Sequence, residues 1–331
     1  MEIGKIPPEI LNKIVLNPIN HFAVKRNDVF LRPKTGEDCS AVLFGEELCI
    51  LSADPITGAE QDIGYIAVHI NCNDIASSGA EPIGILLTVL LPEGSSEAVL
   101  CDIMEGAYEA AKEIGIEILG GHTEVTNAVN KTIVSGAVIG RTDKNHFIST
   151  GGAKVGQDVI MTKCAGLEGT VILAKEYETI LSKKIDTHLL QKAKSMRGFL
   201  SVIKESRIAK NMGATAMHDV TEGGIFGALW EMASASGTGL EVDLHKIPIR
   251  QETIEVCEVF DINPYMLISS GAMLIGTDHG SRLVEELKKA GIHSAVVGHA
   301  TEGNDRVIMN GDERRFLEPP KTDELFRAGK D

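Results

Sequence analysis

Apolar residues along this 331-residue chain gather in short runs broken by glycine and proline. Ala41–Phe44 and Leu48–Leu51 flank Gly45-Glu46-Glu47, a spacing that predicts a β-hairpin over 41–54. Pro55 lacks an N–H and is expected to stop regular pairing there. From 62 to 79 the positions Ile63, Ile66, Ala67, Ile70 and Ala76 recur at helical spacing, and Gly79 suits a helix end. Residues 83–91 form the unbroken apolar run of a buried strand. Ser95 or Ser96 is expected to cap a helix reaching Ile114 and closed by Gly115. Ile116–Leu119 reads as a short strand running into Gly120-Gly121, and Thr132–Ile139 as another.

Ser149-Thr150-Gly151-Gly152 is the expected boundary between an N-terminal unit, 1–149, and a C-terminal unit, 150–331. Beyond it the pattern predicts a strand at 159–162, one long helix over 188–212 ending at Gly213, and a strand at 214–217 that stops at His218-Asp219. A helix capped by Thr221 is expected to run to about Ala235. A strand at 272–276, a helix at 281–290 and a strand at 294–298 follow. Strands and helices alternate in both halves, which places the chain in the α/β (α+β) class with mixed sheets.

Charge narrows the partners. The formal net charge of −15 repels phosphate backbones, so no nucleic acid partner is expected. Part of that excess serves solubility, or part of it clusters to hold divalent cations; position decides between these. Six scattered cysteines without a CxxC pair suit a reducing compartment. No apolar run approaches the ~20 residues of a membrane span, and Met1–Pro8 carries no signal pattern. A soluble, cytoplasmic protein with no membrane association is expected. P-loop, Rossmann, HExxH and GxSxG motifs are absent.

Five segments place polar or acidic residues where an apolar element is finishing: Gly36-Glu37-Asp38-Cys39, Ser52-Ala53-Asp54-Pro55, Asn71-Cys72-Asn73-Asp74, Gly120-Gly121-His122-Thr123-Glu124, and His218-Asp219-Val220-Thr221-Glu222-Gly223-Gly224. Taken singly, each has a structural explanation as a turn, a helix cap or a structural histidine. Asp219 ends a strand just before a helix, a place that attracts phosphate; a carboxylate there tolerates phosphate only with a cation between them. Asn71 and Asp74 share a helix face. Asp74 in so apolar a helix is costly unless exposed, paired or metal-bound.

In this order and spacing the segments resemble the family of aminoimidazole ribonucleotide synthetase and the hydrogenase-maturation protein HypE, with selenophosphate synthetase and thiamine-monophosphate kinase as relatives. Gly36-Glu37-Asp38-Cys39-Ser40 is similar to the family's GDDAA. Asn73-Asp74-Ile75-Ala76-Ser77-Ser78-Gly79-Ala80-Glu81-Pro82 is similar to its ND-x-A-x-x-GA-x-P, the most specific match. Gly120–Thr123 and Asp219–Gly224 are similar to its GG-[DHE]-[TS] and D-x-[ST]-x-GG elements.

The resemblance implies an N-terminal mixed sheet that joins a partner's to form a dimeric barrel, a C-terminal α/β domain, and ATP with Mg²⁺ in the cleft. Asp38, Asp54, Asp74 and Asp219 would hold the metal. Asn73, Gly120, Gly121, Thr123 and Gly223 would line the nucleotide. Asp219, Glu222 and His122 would take part in catalysis. The implied reaction moves the γ-phosphoryl group onto an amide, carbonyl or carboxylate oxygen of a small-molecule or protein-borne acceptor. The alternatives are a non-catalytic nucleotide-binding maturation partner and a small-molecule kinase of the thiamine-monophosphate kinase type. HypE-type enzymes carry a carbamoyl group on a terminal cysteine. This sequence ends Ala328-Gly329-Lys330-Asp331 and its last cysteine is Cys257, so a self-carried carbamoyl group is not expected.

Overall fold

The computed structural model describes residues 3–22, 24–319 and 322–329. Two short helices, α1 (Pro8–Leu11) and α2 (Asn17–Phe22), precede a six-stranded sheet. Its strands are β1 (Val29–Leu31), β2 (Ser40–Phe44), β3 (Glu47–Ile56), β4 (Glu81–Pro92), β5 (Glu117–Thr126) and β6 (Ile133–Asp143), in the order β1-β2-β3-β6-β4-β5. Only the β4–β5 pair is parallel. Helices α3 (Ile63–Ser77) and α4 (Glu97–Ile114) pack together on the sheet. The Ser96 hydroxyl caps α4, and Gly115 closes it in the left-handed region at φ 82°.

The second sheet has seven strands: β7 (Asp158–Thr162), β8 (Ala216–Asp219), β9 (Gly239–Asp243), β10 (Met273–Thr277), β11 (Ser294–Thr301), β12 (Arg306–Asn310) and β13 (Glu313–Phe316). Their order is β13-β12-β9-β11-β7-β10-β8. Around it lie α5 (Leu167–Glu176), α6 (Glu178–Leu181), α7 (Thr187–Ser195), α8 (Ile203–Asn211), α9 (Gly224–Ser236), α10 (Gln251–Phe260) and α11 (Gly280–Lys289). The mixed α/β class is as expected. Among the described residues, no helix is long and apolar enough to cross a membrane.

Helix α3 joins the halves. Every residue from Ile63 to Ser77 is buried, because its remaining faces meet α8 and the second sheet. Ala76 packs into a cluster with Ile160, Met217 and Met273, while Leu167 and Leu200 reach back into the first core. The Asn73 amide accepts from the Val202 N–H at 2.9 Å and donates to the Leu200 carbonyl at 2.7 Å. That bridge explains a departure from the expected long helix over 188–212. The segment is α7, a 3₁₀ turn at Met196–Phe199, and α8. Backbone groups between the helices are committed to Asn73 and cannot continue a helical ladder.

Three other expectations are corrected. Strand β3 runs through Pro55, which pairs with Ser135. Beyond Leu51 it has lost β2, so the proline lies on an edge, where it is tolerated. Thr221 does not cap α9; Gly223 is the N-cap, at φ 90°, and the strand before it includes His218 and Asp219. Gly120-Gly121 is not a turn but lies within β5. Gly121 is required there by the neighbouring strand: at φ 143°, a Cβ would stand 1.8 Å from the Leu87 carbonyl oxygen.

Glu168, in the first turn of α5, is 2% exposed. Burial, reinforced by Asp323 and Asp219, pushes its carboxyl from 4.5 up to about 7. The folded protein therefore binds more protons than the unfolded chain between those values, and stability falls as pH rises across that window. Glu168→Gln should leave stability unchanged near pH 4 and raise it by ~3 kcal/mol near pH 8, measured by urea unfolding. Equal stability of variant and wild type near pH 8 would contradict this.

Candidate active site

The face of α3 that carries Asn71, Asp74 and Ser77, each three residues apart, looks onto the carboxylates. Asn71 binds both backbone groups of Asp54, accepting from its N–H at 3.0 Å and donating to its carbonyl at 3.2 Å. Asp74 is buried and accepts from the Ser52 hydroxyl at 2.6 Å. Ser77 donates to Asp219 Oδ1 at 3.4 Å. Asp219 is fully buried, and its Oδ2 has no hydrogen-bond partner among the described residues. Asp38, ahead of β2, lies 3.0 Å from His218 Nδ1. One ligand atom each from Asp38, His218 and Asp219 fall within 4.8 Å of one another.

Concentrated charge shifts these groups. Burial, then Asp219, Asp54 and Asp38, raises the Asp74 pKa well above the usual carboxylate range. Burial and Asp38 push Asp219 up to about 7. Burial and Asp38 also raise Asp54. Two cations answer them. Burial disfavours a charge on His218, but Asp38 and Glu231 outweigh it and keep the imidazole protonated. Lys5 comes from the far end of the chain. Its ammonium lies 3.6 Å from Glu231, and its N–H donates to Glu222 Oε1 at 2.9 Å. Partial burial opposes its charge, but Glu231, Asp38, Glu222 and Asp54 hold it protonated.

Asp38 and Asp219 thus offer oxygens within 4.8 Å of each other from the two halves, and Asp54 and Asp74 stand close enough for their charges to act on them, with Glu222 beside Asp54. The oxygen-rich donors and the orphaned Asp219 Oδ2 fit a hard divalent cation. Protonated His218 is then a charge partner rather than a ligand. Others are not brought together. Asn73 is fully buried and both ends of its amide are committed to the Leu200–Val202 bridge, which holds the halves. The Gly223 N–H is taken by Asp323 at 2.7 Å. Gly120, Gly121, His122 and Thr123 are exposed on edge strand β5, three strands from β3 and thus about 14 Å away across the sheet. His122 pairs with Glu124 at 3.1 Å.

Lys5, His218 and Glu231 were missed by motif reading. His218 adjoins Asp219, and Glu231 lies 13 residues on, one face of α9 away. Lys5 had no signal at all: its contact with Glu222 spans 217 residues.

Two family models match the chain: "AIR synthase related protein, N-terminal domain" over residues 36–142 and "AIR synthase related protein, C-terminal domain" over 154–310. The chain belongs to the AIR synthase-related family. It is 27% identical to a protein of Methanocaldococcus jannaschii named for hydrogenase expression and formation, over 98% of this chain and 97% of that one. It is 28% identical to carbamoyl dehydratase HypE of Rhodobacter capsulatus, over 67% of this chain and 63% of HypE. Thiamine-monophosphate kinase of Pyrococcus horikoshii is 27% identical over 67% of this chain and 70% of the kinase. Among solved structures, HypE in its complex with HypF superposes with TM-score 0.74 at 21% identity, covering 93% of this chain and 100% of that one. HypE in complex with ATP gives 0.71 at 18% identity, covering 98% of each. These likenesses establish the fold.

Buried carboxylates this close repel one another, and a bound cation would relieve that repulsion. In chelator, Asp219→Asn should melt at or above the wild-type temperature. Added Mg²⁺ or Mn²⁺ should stabilise the wild type by up to about 2.7 kcal/mol at a hundredfold excess over its dissociation constant, and the variant far less. Thermal shift reads this; an equal response of both proteins would remove Asp219 from the cation site.

Proposed function

We propose that this chain binds ATP with Mg²⁺ at the Asp38–Asp54–Asp74–Asp219 cluster and transfers the γ-phosphoryl group to an amide, carbonyl or carboxylate oxygen. The carrying observation is the convergence of four aspartates from both halves, with one buried oxygen of Asp219 left unpartnered. Family membership and the likeness to an ATP-bound HypE support the nucleotide.

The four aspartates would hold Mg²⁺, whose charge would let a triphosphate approach so many carboxylates. The chain's own residues do the remaining work. Ser52, Ser77 and Asn71 fix the carboxylate positions, so little reorganisation is needed on binding. Protonated His218 balances Asp38 from behind. Glu222 stays at the rim with Lys5, in place to meet an acceptor. The reading takes the acceptor to be a separate molecule; Cys257, buried and with its thiol pushed up to about 12, is not suited to carry a group. The solved complex of HypE with HypF supports a protein partner.

The working unit is a homodimer. Ile83, Leu86 and Leu119 are exposed apolar side chains on β4 and β5, and β5 is an open edge. A second copy placed there would cover those side chains and bring its Gly120–Thr123 segment, with His122, toward a nucleotide that this chain's own segment does not reach.

Asp74→Asn and Asp219→Asn should each weaken Mg-ATP binding tenfold to a hundredfold by calorimetry, ~1.5–3 kcal/mol, with ATPase activity falling at least as far. Unchanged affinity in both would move the nucleotide elsewhere. ADP release that rises only with a metabolite or protein pool supports acceptor activation, and a stable phosphorylated metabolite would instead make it a kinase. Sedimentation should give about twice 35.5 kDa, and Leu119→Glu should yield monomers with lowered ATPase activity. A monomeric wild type would overturn the dimer.

A further inference from the structure

A large cavity shares no lining residue with the acidic cluster. It encloses about 630 Å³ at the C-terminal end of β7, between the starts of α5, α8 and α10. Cavities of this size suit a small organic ligand. Its chemistry is opposite to that of the aspartate site. Lys163, Lys204 and Arg250 line it, against one carboxylate, Glu205, in a chain of net charge −15. Glu205 is already neutralised, its Oε1 2.5 Å from Lys163.

The cations stand where helix electrostatics disfavour them. Lys204 is in the first turn of α8, and Arg250 is the N-cap of α10. Helix N-termini carry partial positive charge and prefer acids. Neither N-cap side chain caps its helix, the Ile203 N–H donates to the Ser201 hydroxyl at 3.4 Å, and the starts of both helices line the cavity. Lys204 spends one donor on the Ala290 carbonyl at 2.6 Å and keeps the others. Arg250 is braced at the mouth by Glu252 at 3.3 Å and by the Phe199 ring at 5.9 Å. Lys163 is fixed by its own backbone, at a φ of 55° that non-glycine residues rarely adopt, and by carbonyls of Ser201 and Gly271. Leu167, Phe199 and Ile292 supply apolar wall beside these charges.

The geometry points to a second binding site in this cavity, for a small organic anion: a phosphate or carboxylate head between Lys204 and Arg250 at the two helix starts, and a flat apolar body against Phe199, Leu167 and Ile292. The site is independent of the nucleotide reading, and stands or falls without it.

Phenyl phosphate and benzoate are the probes, with benzyl alcohol as the uncharged control, titrated by calorimetry and NMR in metal-free buffer. At least one anion should bind saturably with a dissociation constant of ~1 mM or tighter, and the alcohol should not. Which anion binds tells phosphate from carboxylate. Lys204→Gln and Arg250→Gln, both at exposed positions, should together weaken binding at least about tenfold, as expected when charge-assisted contacts are lost. Saturating Mg-ATP should leave the anion bound. Three results would overturn the proposal: no saturation by either anion, unchanged affinity in the double variant, or displacement by Mg-ATP.

Discussion

Four neighbouring aspartates, two of them buried, repel one another, and much of the fold around helix α3 answers to that repulsion. Asp74 and Asp219 are at most 2% exposed, and burial with neighbouring carboxylates raises both pKa values. Holding such groups together requires a scaffold that cannot relax. Helix α3 is that scaffold, buried along its whole length between the two sheets. One face of it presents Asn71, Asp74 and Ser77 to the cluster, while Asn73, on another face, grips the loop between Leu200 and Val202. The residues that position the site and those that join the halves therefore alternate along a single helix.

Compensation comes in layers. Glu231, His218 and Asp38 form a line in which a protonated imidazole lies between two carboxylates. Lys5 closes the outer side through Glu231 and Glu222. The two cations only partly offset six acidic groups, Asp38, Asp54, Asp74, Asp219, Glu222 and Glu231, and leave Asp219 Oδ2 unpartnered. An incomplete balance of this kind supports the proposed cation site. The cavity beside α8 and α10 is its electrostatic converse, with cations gathered around helix starts.

Much of this was legible in the sequence because it is local. The hairpin of β2 and β3, the Ser96 cap, Gly115 and the apolar run of β4 follow from spacing and turn chemistry. The four aspartates stood out because each interrupts or ends an apolar element. What could not be read depends on distant partners. The break between α7 and α8 comes from Asn73, more than 120 residues away by the 127-residue span of one of its bonds. Pairing through Pro55 depends on β2 being shorter than β3. Gly121 looked like a ligand-facing glycine but answers to the Leu87 carbonyl. Gly223 looked like an anion-binding N–H, yet Asp323 occupies it from a hundred residues downstream.

The central claim is that these carboxylates hold a metal that in turn holds the triphosphate. Electron–nuclear double resonance on the protein with Mn²⁺ and ATP addresses it directly, because phosphorus couples measurably only to a metal that its oxygens ligate. The account predicts ³¹P couplings in the wild type, and their loss together with the bound Mn²⁺ in Asp219→Asn. Mn²⁺ bound at the aspartates without ³¹P coupling, or coupling undiminished in that variant, would contradict it.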